Sequence, residues 1–103
     1  MQTNSEKILD NQTRLKKTLR LVIHGRVQGV FFRDSMRREA LSLGVSGWVR
    51  NRNDGTVEAA VHGDPEAINA IVHWAHLGPQ YAQVVGVQME PYHGTYNSFE
   101  VIE

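Results

Sequence analysis

The chain of 103 residues contains no cysteine. It can form neither a disulfide framework nor a thiolate metal site, and it offers no cysteine nucleophile. Nothing in its stability calls for an oxidising compartment, which agrees with a cytoplasmic location. It also lacks any apolar run long enough to span a bilayer, and the polar start MQTNSEKILDNQTRLKK has no apolar core of the signal-peptide kind. A soluble protein is expected, with no membrane partner. The second half lacks positive side chains altogether. Residues 1–52 hold all eleven Lys and Arg against four acidic residues, a balance of +7, and residues 53–103 hold the other seven acids, a balance of −7. Such asymmetry can mark a nucleic-acid face. It also arises when two halves interleave in one compact domain, so that the surface is mixed, and that reading is preferred for every cation except Arg33. A length of 103 residues suits one domain with one modest core.

The segment Gly25–Arg33, GRVQGVFFR, carries the strongest chemical signal. Gly25 and Gly29 allow the positive φ and close approach with which successive backbone N–H groups can surround an oxyanion. A helical pattern follows at once, so the unpaired donors and positive end of a helix face the same place. Arg33 adds a permanent planar cation. A phosphoryl group is the ligand that suits this set. The segment has no Gly-Lys-Ser/Thr and no GxGxxG, which excludes the usual ATP and dinucleotide loops. Gly-xxx-Gly is common, however, and alone it fits an ordinary strand-to-helix turn.

Residues 1–16 show no sustained period and are expected to be a flexible extension, with residues 17–103 forming the domain. Leu19, Leu21 and Ile23 alternate with Arg20, Val22 and His24, predicting a strand covered on one side. Phe32, Met36, Ala40 and Leu43 recur at helical spacing up to Gly44. Val45, Gly47 and Val49, then Val57, Ala59 and Val61, predict a hairpin around Asp54-Gly55. Asp64 and Pro65 suit a helix start, Ile68, Ile71, Val72 and Ala75 its buried face, and Gly78-Pro79 its stop. Val84, Val85, Val87 and Met89 suggest a fourth strand with imperfect alternation, and Phe99, Val101 and Ile102 a short last one. The order βαββαβ argues for an α+β ferredoxin-like sandwich, a mainly antiparallel sheet with both helices on one face. By parity Asn51, two residues beyond Val49, points to the helix-covered side at its strand's end.

Three blocks then resemble the acylphosphatase family: the glycine loop His24–Arg33, the helix with Ala40, Leu43 and Gly44, and the GWVxNxxDG block at Gly47–Gly55. The resemblance runs from about Thr18 to the C-terminus. It implies the same ferredoxin-like fold and hydrolysis of small acyl phosphates to a carboxylate and inorganic phosphate. It implies that Arg33 and the loop N–H groups of Gly25, Arg26, Val27, Gln28, Gly29, Val30, Phe31 and Phe32 hold the phosphate, and that Asn51 orients the attacking water. No metal, no cofactor and no nucleic acid are expected, and the protein is taken as a monomer. The family pattern loosens at Gly78–Val84, at the C-terminal Phe99–Glu103 and at Ser35, away from Arg33 and Asn51.

Other residues carry weaker signals. His73 and His76 stand one turn apart without a convergent third ligand, and both are read as surface residues. His24 is assigned to the sheet surface. Trp48, Arg50 and Arg52 fall on the face opposite Val49, with both arginines expected to be solvated. Phe31 and Phe32 are expected to anchor the loop in the core, and Asp34 to point away from the anion. An RNA-binding ferredoxin-like module is the alternative from another class. It calls for aromatics on the two middle strands, where this sequence has Arg20, Val22 and His24, then Thr56, Glu58, Ala60 and His62. A phosphate-handling domain of a larger enzyme is a third reading.

Overall fold

The computed structural model describes residues 15–103. The extension expected over residues 1–16 lies outside the described residues apart from its last two positions. The elements run β1 (Lys17–Arg26), α1 (Phe32–Leu43), β2 (Ser46–Asn51), β3 (Val57–Gly63), α2 (Pro65–Leu77), β4 (Gln83–Pro91) and β5 (Phe99–Val101). The strands form one sheet in the order β4-β1-β3-β2-β5. Pairing is antiparallel except between β2 and β5, which run parallel. Both helices pack against the sheet and each other over one core, so the α+β ferredoxin-like sandwich expected from the sequence is the observed fold.

The core follows from the alternation of the strands. Leu21 and Ile23 of β1, Val49 of β2, and Val57, Ala59 and Val61 of β3 are all fully buried, as period-two patterning requires when one face is covered. Phe32, Met36 and Ala40 of α1 and Ile68, Ile71 and Ala75 of α2 close the other side. Gly44 ends α1 in the left-handed region at φ 73°, its N–H bonded back to the carbonyls of Ala40 and Leu41. At the start of α2 the Asp64 side chain makes no capping bond. Its Oδ1 instead takes Lys16 Nζ at 3.2 Å, because an exposed carboxylate beside a lysine has a competing charged partner.

The uneven alternation of β4 has a local cause. The pairing of β1 with β4 shifts register between His24 and Gly25, matching His24 to Gly86 and Gly25 to Val84. Val85 is the extra residue of a bulge and is exposed, while Val84 and Val87 both pack on the core. Gly25, at φ 125°, is required there: a Cβ would stand 2.2 Å from the carbonyl oxygen of Gln83. The open face of the sheet carries a charged cluster. Glu58, nearly buried, accepts Arg20 Nε at 2.5 Å and Arg50 Nε at 2.6 Å, and Arg20 also reaches Glu90 at 3.2 Å. Arg50 is therefore an ion-pair partner rather than a solvated side chain, since a carboxylate enclosed on β3 demands neighbouring charge. Arg52 pairs with Asp54 at 3.2 Å.

Candidate active site

The segment between β1 and α1 turns sharply because two residues take left-handed backbone, Gly29 at φ 76° and Phe31 at φ 64°. Phe31 occupies the position preceding α1, and its carbonyl accepts the N–H of Ser35 at 3.1 Å. The first N–H groups of a helix have no intrahelical acceptors and point outward at this end. Phe32 is buried at the start of α1, its ring 5.2 Å from that of Trp74 on α2 and tilted by 58°. An aromatic pair of this geometry adds about 0.5–1.5 kcal/mol to burial and pins the beginning of α1 to the core. Phe31 goes the other way and is 77% exposed. The expectation that both phenylalanines anchor the loop thus holds for Phe32 alone.

Arg33 and Asn51 meet in one pocket of about 460 Å³, which is also bordered by Val27, Gly29, Phe31, Phe32, Asp34 and Val101. The side chain of Arg33 is exposed and forms no ion pair among the described residues. Asp34 borders the same pocket, but its carboxylate is held by Arg38 at 2.6 Å one helical turn away. Asn51 ends β2, and its Oδ1 is buried without a hydrogen-bond partner. Burying an acceptor unpaired costs about 1–3 kcal/mol, so this oxygen calls for a partner from water or a ligand. Gly25, Arg26, Gln28 and Val30 do not line this pocket. Gly25 and Arg26 belong to β1 and face Val84 and Gln83 of β4 in the sheet.

Gln28 acts through its side chain. Its Nε2 donates to the carbonyl of Arg52 at 2.8 Å and of Thr56 at 2.9 Å, tying the loop to the turn that follows Asn51. That turn is braced again: Asp54 Oδ1 accepts the Thr56 N–H at 3.0 Å and its hydroxyl at 2.6 Å, and Arg52 N–H bonds Thr56 O at 2.9 Å. The Thr56 hydroxyl, with its N–H second, holds the Asp54 carboxyl below the usual aspartate range. Nothing in the sequence singles out the Gln28 bridge beyond a lone amide between Val27 and Val30. The sequence puts Val101 in the short last strand but does not link it to the site, since the parallel placement of β5 beside β2 brings it there. His24 bonds Gln88 at 2.8 Å on the sheet surface, and His73 and His76 are exposed. Among the described residues no three His, Asp or Glu side chains are grouped to hold a metal ion, and no helix is long and apolar enough to cross a membrane.

A protein-family model for acylphosphatase matches residues 19–101. An acylphosphatase of Thiobacillus denitrificans is 60% identical over 84 residues, 82% of this chain and 94% of that protein. The solved structure of an acylphosphatase from Coxiella burnetii superposes with a TM-score of 0.82 at 35% identity, over 84% of this chain and 93% of that one. The acylphosphatase from Bacillus subtilis gives 0.81 at 28% identity, over 86% and 100%. Fold and pocket together define a small ferredoxin-like α+β domain with an arginine from the first turn of α1 and an asparagine from the end of β2 at one pocket. The chain belongs to the acylphosphatase family. Family and fold support hydrolysis of acyl phosphates as its activity.

Proposed function

We propose that the protein hydrolyses the carboxyl–phosphate bond of small acyl phosphates by in-line attack of water, with the phosphate held at the Gly25–Arg33 loop and the water oriented by Asn51. An acyl phosphate is a mixed anhydride whose leaving group is a carboxylate, a weak base that departs without a general acid. Catalysis then reduces to placing the phosphoryl group and a water in line and stabilising the equatorial oxygens. Arg33 supplies the fixed cation, and the N–H groups at the turn into α1 supply the donors. The Asn51 oxygen accepts one proton of the attacking water and aims the lone pair at phosphorus. As the new P–O bond forms, the bond to the acyl oxygen breaks with its electron pair leaving on the carboxylate. An amide is too weak a base to keep the water's proton, which passes to a phosphate oxygen late in the step. Nothing in this sequence of events calls for a metal ion.

The observation that carries this reading is that Asn51, whose Oδ1 is buried without a partner, borders the same pocket as Arg33. The test is turnover of benzoyl phosphate and of a simple phosphomonoester in the presence of EDTA, with inorganic phosphate as product inhibitor. Benzoyl phosphate alone should be cleaved. Asn51→Ala should lower kcat by roughly two to three decades while phosphate still inhibits, and Arg33→Ala should weaken phosphate inhibition as well as rate. Unchanged turnover in Asn51→Ala removes the role given to that side chain.

A further inference from the structure

Among the described residues nothing bonds the Asn51 Oδ1, so the direction in which it points is set by the backbone that carries it. Asn51 is the last residue of β2 and faces Val57, the first of β3. The turn 52–56 lies between them and holds that strand end from one side. Gly55, at φ 91°, reverses the chain there, with its N–H on the Arg52 carbonyl at 3.2 Å. The Asp54 carboxylate adds bonds that the reversal itself does not use. One of its oxygens takes the hydroxyl and the N–H of Thr56, at 2.6 Å and 3.0 Å, and the other lies 3.2 Å from the Arg52 guanidinium. It thus grips both ends of the turn. Thr56 is buried, so its hydroxyl depends on that acceptor where water does not replace it. The carbonyls of the same two residues, Arg52 and Thr56, receive the two bonds of Gln28 Nε2. Asp54 itself is about half exposed and does not border the pocket of Arg33.

We infer that Asp54 is a positioning residue for the reaction: by gripping Arg52 and Thr56 it sets the seat of Gln28, and through that seat the separation of Asn51 from Arg33. This role rests on the proposed hydrolysis, in which Arg33 holds the phosphoryl group and Asn51 the water. In-line attack needs the water oxygen at a set distance and angle from phosphorus, and a displacement of about 1 Å costs roughly a hundredfold in rate. Asp54 moves no proton and touches no substrate. Its loss should therefore fall on kcat, while phosphate, bound by Arg33 and the N–H groups at the start of α1, should still inhibit at nearly the same concentration.

The test measures kcat and inhibition by inorganic phosphate, with benzoyl phosphate as substrate, in the unaltered protein, Asp54→Ala, Thr56→Val, Gln28→Ala and the Asp54→Ala, Gln28→Ala pair. Asp54→Ala should lower kcat by about tenfold, the scale of a displacement well under 1 Å, and Thr56→Val should lower it in the same direction. Both changes in the pair act on one turn, so the pair should lose about as much as the worse single variant rather than the product of the two. A product of the two losses overturns the proposal, since Asp54 and Gln28 would then act separately. So does an unchanged kcat in folded Asp54→Ala, or phosphate inhibition that falls as far as kcat, which would make Asp54 a support of the fold at large. Where Asp54→Ala does not fold, Thr56→Val decides, because it deletes one bond to the carboxylate and keeps the buried shape: an unchanged kcat there overturns the role. No turnover in the unaltered protein overturns the hydrolysis, and the role with it.

Discussion

The side-chain amide of Gln28 reaches from the glycine loop to the backbone carbonyl of Thr56, 2.9 Å away, and so joins the segment carrying Arg33 to the turn beyond Asn51. Arg33 and Asn51, which share the pocket, come from opposite ends of this bridge.

Gln28→Ala removes the donor while Arg52 O and Thr56 O keep other partners, the N–H groups of Gly55 and Arg52. The stability loss should therefore stay near 1 kcal/mol, read from urea unfolding. The larger effect should fall on kcat/KM, by about tenfold or more, because a misplacement of reacting groups by a fraction of an ångström is costly. A Gln28→Ala variant with full activity would show that the loop keeps its place without the bridge.

Asn51→Ala should leave the protein as stable as before or raise its stability by about 1 kcal/mol, even as activity is lost. The oxygen it deletes is buried without a partner, so its removal relieves a desolvated acceptor. Thermal unfolding of both proteins measures this, and a marked fall in Tm would mean that the carboxamide holds structure.

Glu58 should set much of the acid limb of stability. Burial works against its charge, but hydrogen bonds from Arg50 and Arg20 outweigh burial and hold its carboxyl below the usual glutamate range. The folded value is thus below the unfolded one, so its stabilisation is complete above the ordinary glutamate range and is lost as pH falls from there through the folded value. Glu58→Gln should flatten this part of a Tm-against-pH curve. It should also lower neutral-pH stability by about 2 kcal/mol, less than the roughly 3–5 of a fully enclosed pair, since Arg20 and Arg50 retain contact with water. An unaltered acid limb would assign acid unfolding to other groups.

Gly25→Ala and Gly29→Ala should separate two uses of glycine in one loop. A Cβ on Gly25 meets the Gln83 carbonyl at 2.2 Å, whereas one on Gly29 meets nothing within 4 Å. The first should destabilise by about 3 kcal/mol or more through backbone overlap, the second by about 1 kcal/mol through its left-handed φ alone. Denaturant midpoints of the two variants give the comparison, and equal losses would remove the distinction.

The sequence is legible where one periodicity governs. Strand parity puts Asn51 on the covered side, and helical spacing gives the buried face of Phe32, Met36 and Ala40. It is illegible where tertiary contact decides. Both glycines of the loop suggest anion binding, yet Gly25 answers to the bulge opposite Val85. Phe31 and Phe32 look alike in composition, and only the left-handed turn sends one outward. Arg50 reads as a solvated charge on its strand, because the Glu58 that binds it is enclosed by packing that involves Arg20, 38 residues away. Val101 reaches the pocket through the parallel pairing of a three-residue strand, and its local pattern tells the strand but not its neighbour.

The interior strand β1 has consequences for how the molecule is made. Its partners are residues 57–63 on one side and 83–91 on the other, so the stretch that positions Arg33 has no neighbours when it first leaves the ribosome. Such distant pairings close slowly, and most of the chain must be synthesised before both flanks can dock. The loop before α1 is thus translated early and shaped late, after the strands that flank β1 have been made.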